Sequence, residues 1–155
     1  MALGTRRTPE RRSPLFSSPP IPKRDVSTIT VTSGTTPLTC TTTQLLKGLL
    51  PVDCQDTGTL TLPTATLIAA AVPGIEVGSC IDFTIINFGD TNLTLAVGTG
   101  ITAKVITTKT TALTIATLQS DRFWLVCTAL DGVSGSVTNT FDLYGSGPTA
   151  AAAAG

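Results

Sequence analysis

The sequence predicts an all-β fold: a small antiparallel β-sandwich or barrel, jelly-roll-like, with one short helix and an extended N-terminal arm. Three observations predict it. One residue in five of the 155 is Thr, a β-branched residue that suits a pleated, half-buried surface. Short alternating apolar runs recur at regular spacing between Gly-, Asp- and Ser-containing turns. Charged side chains make up only 13% of the chain, against about 25% in an ordinary soluble domain. Hydroxyls therefore do much of the wetting, as suits a body whose outer face is partly covered by neighbours. The length admits one domain and not comfortably two.

The boundaries fall at changes of composition. Residues 1–25 form a basic, Pro-rich arm, residues 26–145 the β-domain, and residues 146–155 a flexible Gly/Ala tail. The arm holds Pro9, Pro14, Pro19, Pro20 and Pro22 among Arg and Ser. It has too little apolar surface to offset its ordering entropy alone, so it is extended where a partner orders it and a disordered tail otherwise. The net charge of zero hides an asymmetry. Six basic residues (Arg6, Arg7, Arg11, Arg12, Lys23 and Arg24) face two acids in the arm, a balance of +4. The remaining residues carry four basic and eight acidic side chains, a balance of −4. A basic arm on an acidic body seeks an acidic partner: nucleic acid, an acidic protein face or a neighbouring copy. Pro and Ser disperse the charges, which favours a protein face over nucleic acid. Leu15, Phe16 and Ile21 are its apolar anchors.

The elements follow in order. Thr28-Ile29-Thr30-Val31-Thr32 alternates as a strand does, and Ser33-Gly34 turns. Residues 37–43 give a second short strand or an extended run. Gln44-Leu45-Leu46-Lys47-Gly48-Leu49-Leu50 has helical spacing but is broken by Gly48 and Pro51, so one or two turns are expected. Thr59-Leu60-Thr61-Leu62 alternates until Pro63. Thr64 is a good N-cap for a helix over 65–72 that Pro73-Gly74 ends. Leu67 and Ile68 are expected to plug one end of the fold. Strands follow over 80–87, 92–97, 101–106, 111–118, 122–130 and 133–144, with Gln119-Ser120-Asp121 read as a turn. The strand over 122–130 is apolar on both faces. It is therefore central or lies against another subunit, with Trp124 and Val126 as the candidate contact and Trp124 more readily a core residue.

The residues offer little chemistry. There is no His, the commonest general base. Asp56, Asp90, Asp121 and Asp131 neighbour Gly, Ser or Thr and read as turn residues bonding their own backbone. No nucleophile elbow, phosphate-binding loop or calcium loop is spelled out. The four cysteines, Cys40, Cys54, Cys80 and Cys127, include no close-spaced pair, which argues against zinc. Free buried thiols are expected, with Cys40–Cys54 the pair to bridge if any does. No cofactor, metal, membrane span or catalytic role is expected.

Several phrases carry a resemblance. They are Thr59-Leu60-Thr61-Leu62-Pro63-Thr64-Ala65, Ala69-Ala70-Ala71-Val72-Pro73-Gly74-Ile75-Glu76-Val77-Gly78, Phe83-Thr84-Ile85-Ile86-Asn87, and the run from Leu93 to Thr102. Together, over residues 56–145, the chain resembles short β-modules of virion proteins in tailed phages and large DNA viruses. The resemblance implies a decoration, cement, spike or fibre-type domain, often trimeric. It implies a minor capsid component on the virion that binds the major capsid protein or other virion proteins, or alternatively a receptor- or glycan-binding spike module. The arm lies outside the resemblance and looks like the extensions that tie minor capsid proteins to neighbours.

Overall fold

The computed structural model describes residues 26–31, 37–104, 113–132 and 138–146. In chain order the elements are β1 (Ile29–Val31), β2 (Leu38–Thr39), α1 (Thr42–Leu46), β3 (Leu49–Cys54), β4 (Gly58–Thr61), α2 (Ala65–Ala71) and β5 (Cys80–Asn87). They continue with β6 (Leu93–Ala96), β7 (Ile101–Lys104), β8 (Leu113–Ile115), β9 (Gln119–Ala129) and β10 (Thr140–Gly145). The chain is mostly strand, arranged in a six-stranded sheet of order β1-β3-β5-β9-β10-β7 and a four-stranded sheet of order β2-β4-β6-β8.

Pairing is mixed, which corrects the expectation of an antiparallel fold. β1, β3 and β5 are parallel neighbours in the first sheet; β2, β4 and β6 are parallel neighbours in the second. The reason is the path of the chain. Each pair β3–β4 and β5–β6 runs from the first sheet, round a corner, into the second, and β1 and β2 lie beside them in the same two sheets. Stacked in order, the three pairs make three coils. Neighbours within a sheet are thus separated by a crossover, and crossovers give parallel pairs. After the third coil the chain reverses: β8 lies antiparallel on β6, β9 antiparallel on β5, and β10 antiparallel on β9. β7 closes the far edge, parallel to β10.

Local chemistry fixes the returns between coils. Thr41 caps α1 in a reciprocal box: its hydroxyl accepts from the Gln44 amide (3.2 Å) and its own amide donates to Gln44 Oε1 (2.8 Å). The run 44–50 is therefore half helix and half strand, since Gly48 at φ 77° redirects the chain into β3. This gives two short helices where one was expected. Thr64 caps α2 as anticipated. Ile68 is buried beneath it, but Leu67 is 57% exposed and plugs nothing. The turn read at 119–121 lies inside β9 instead, and Asp121 is buried within that strand. The chain turns two residues earlier, at Leu118, which takes φ 57°.

The coils stack closely at both corners. A Cβ on Gly89 would lie 2.1 Å from the Cys54 backbone nitrogen, and one on Gly98 would lie 2.4 Å from the Pro63 carbonyl oxygen. Backbone cannot yield to such contacts, so these two positions take no side chain. Buried side chains of both sheets form one core cluster. It contains the column Leu60–Leu95 and the stacked cross-strand pair Phe83–Phe123, centroids 5.4 Å apart. Such a ring pair contributes about 0.5–1.5 kcal/mol beyond its buried area. The third corner is locked by Asn87, whose buried amide donates to the carbonyls of Thr91 (2.8 Å), Ile115 (3.1 Å) and Ala116 (3.3 Å). Its carbonyl accepts from the Gly89 amide (3.2 Å).

Candidate interaction face

Strand parity divides the six-stranded sheet into two faces. In β9, Phe123, Leu125 and Cys127 point into the core, while Arg122, Trp124, Val126 and Thr128 point outward. Strand pairing then builds rows across that outer face. One row runs Asp82, Trp124, Tyr144, Lys104 through β5, β9, β10 and β7. The next runs Cys80, Val126, Asp142, Thr102. The only Trp and the only Tyr of the chain are thus direct cross-strand neighbours.

Trp124 and Val126 are brought together as expected for a contact. Trp124 is half-buried on the outer face and does not join the core, which corrects its reading as a core residue. The arm residues Arg6, Arg7, Arg11, Arg12, Leu15, Phe16, Ile21, Lys23 and Arg24 lie outside the described residues. The sequence does not single out Asp82 or Lys104 as members of the face. Alternation assigns each its side of its own strand, but nothing in the sequence says that residues 82, 124 and 144 share a row.

The charges nearest Trp124 and Tyr144 are paired. Arg122 Nε donates to Asp82 Oδ1 (2.9 Å), and its terminal nitrogen bonds the second carboxylate oxygen. The same guanidinium sits 5.4 Å from the centroid of the Trp124 ring, a cation–π arrangement. Lys104 Nζ lies 3.8 Å from Asp142 Oδ2. The hydrogen bond from Arg122, aided by its charge, holds the Asp82 carboxyl below the usual carboxylate range, and the partnership raises Arg122 in turn. Two ion pairs therefore bracket an aromatic ribbon whose net charge is small. Half-buried Leu49, Pro51 and Ile86 extend the apolar surface across β3 and β5.

A concavity of about 480 Å³ crosses the opposite corners of the three coils, lined by Thr39, Cys40, Thr61, Leu62, Pro63 and Val97 among others. It is uncharged, and burial pushes its one thiol, Cys40, up to about 12, far from a reactive thiolate. All four cysteines are free; Cys40, Cys54 and Cys127 are buried, whereas Cys80 is exposed on the outer face, against the expectation of burial. Among the described residues no cluster of three or more His, Cys, Asp or Glu could hold a metal, and no helix is long and apolar enough to cross a membrane. No protein-family model, curated protein or solved structure matches the chain.

Proposed function

We propose that the chain is a structural component of a virus particle, a minor capsid, cement or decoration module whose body is a compact β-sandwich. The observation that carries this reading is the outer face around Trp124. It offers a half-buried aromatic and aliphatic surface whose central charges, those beside Trp124 and Tyr144, are neutralised in pairs, the composition of the centre of a protein contact. It offers no nucleophile or general base oriented by a partner, which is what a catalytic cleft requires. The resemblance of residues 56–145 to virion β-modules supports the same setting. In this reading the face seats on neighbouring capsid subunits, and the arm, residues 1–25, runs along them with Leu15, Phe16 and Ile21 as anchors. The test is occupancy in purified particles. A chain lacking residues 1–25, and separately Trp124→Asp, are each expected to lose most of their incorporation. Full occupancy of both variants overturns the proposal.

The adjacency of Trp124 and Tyr144 favours one second reading, a glycan- or receptor-binding module, since paired aromatic rings flanked by polar groups suit a sugar face. Glycan-array binding that disappears in a folded Trp124→Ala variant is its signature.

A further inference from the structure

We propose that the first coil is a docking edge for a second copy of this chain, with β1 pairing antiparallel to β1 of the partner about Thr30, and that each copy's basic arm then crosses onto the other's acidic body. The pairing half of this proposal does not depend on the virion reading, because it is a property of the isolated protein.

Both sheets end at the same coil. Among the described residues β1 is the edge of the six-stranded sheet and β2 the edge of the four-stranded one. The core column makes the opening visible. Leu60 and Leu95 are 0% and 3% exposed, whereas Leu38, paired with Leu60 one coil further out, is 39% exposed. An inward-facing Leu at a coil end remains wet because no further coil covers it among the described residues. Burying it offers the usual apolar gain.

The backbone of β1 is ready for a partner. The Val31 carbonyl accepts from the Gln55 amide at 3.1 Å, so the peptide groups of Val31 point toward β3. Peptide groups alternate along a strand. The N–H and C=O of Thr30 therefore point away from β3, along the open edge. Such edges recruit strands unless protected by charge, proline or a bulge. β1 carries neither charge nor proline, whereas β7, the opposite edge of the same sheet, ends on Lys104.

The chain's own arm is a poor occupant. Five of its 25 residues are proline and cannot donate to a ladder. A second copy is a good one. Pairing Thr30 with Thr30 sets Ile29 against the partner's Val31. Since Ile29 and Val31 are both buried, inward positions meet inward positions and the core continues through the contact. The arm leaves the body at Val26, beside this edge. A length of 25 residues, at about 3.1 Å each when extended, is enough to span a partner of this size. The arm's balance of +4 then meets a body of −4.

The full-length chain is expected to sediment as a dimer. Thr30→Pro removes an N–H that points away from β3. It is expected to give a monomer with an unchanged circular dichroism spectrum. Thr30→Cys in a Cys80→Ser background is expected to yield a disulfide-linked dimer on mild oxidation, because opposed residues of such a pair lie about 5.5 Å apart at Cα, within disulfide reach. Deleting residues 1–25 is expected to leave the dimer but weaken it by about tenfold or more. A monomeric or trimeric full-length chain overturns the pairing. So does a dimer indifferent to Thr30→Pro and unbridged in Thr30→Cys, or a dimer that appears only once residues 1–25 are removed. An unchanged dissociation constant after deletion overturns the arm exchange alone.

Discussion

At its third coil the stack is closed by the chain's own return, whereas at its first coil both sheets end on strands of three and two residues. The closed end carries a buried amide that ties the corner of β5 to the turn before β9, with the Thr117 hydroxyl donating to the Gly89 carbonyl at 2.8 Å beside it. The open end carries a Leu at a core position that is more than a third exposed. A buried polar lock is worthwhile only where the chain supplies every partner, because an unmatched buried group costs more than a matched one contributes. Where no further coil stands among the described residues, the edge keeps simple uncharged residues that another backbone can meet.

The largest effect is expected at the closed end. Asn87→Leu leaves two buried groups without their partner, the Ile115 carbonyl and the Gly89 amide, each a cost of about 1–3 kcal/mol. A loss of about 4 kcal/mol in urea unfolding is expected, and a loss below about 1 kcal/mol means the corner is not held by this amide. Next comes the Leu column. Leu60→Ala is expected to cost about 3 kcal/mol, as buried Leu deletions do. Leu38→Ala in a Thr30→Pro background is expected to cost under about 1 kcal/mol, since its side chain is already partly wet. Equal costs at the two positions break the distinction between open and closed ends.

The smallest effect belongs to the outer face. Asp82 is held below its ordinary value in the folded state, so its contribution is present above the unfolded value of about 3.9 and is lost as the pH falls through the folded value. The pair is exposed, so the contribution is small and salt-sensitive. A melting-temperature difference between the wild type and Arg122→Gln is expected near neutral pH and is expected to vanish on acidification. A difference that persists in acid assigns the Arg122 contribution to its packing over Trp124.

Much of the local structure is legible in the sequence. The strand over 80–87 matches β5 end to end, because its alternation is strong and Gly89-Asp90 punctuates it. The N-cap at Thr64 is a local hydrogen bond and reads locally. Parallel pairing is not legible, because alternation reports which side of a strand is buried and says nothing of which strand lies beside it. The start of β9 is missed for a related reason. Gln119-Ser120-Asp121 has turn-like residues, but the positive φ falls on Leu118, a residue type that rarely adopts it. The interaction face inherits this blindness: Trp124 is seen as a candidate contact, but its neighbours Asp82 and Tyr144 become neighbours only through pairings made 42 and 20 residues away.

The thiols of the chain are distributed by level: Cys40 in the first coil, Cys54 at the corner of the second, Cys80 at the start of the third, and Cys127 on the return strand. Only Cys80 faces water in the folded state. The other three can meet a bulky thiol reagent only after their own layer has opened. The protein therefore carries a built-in record of its unfolding, in which the sequence of thiol exposure spells out whether the stack peels from its open coil inward or comes apart as one piece.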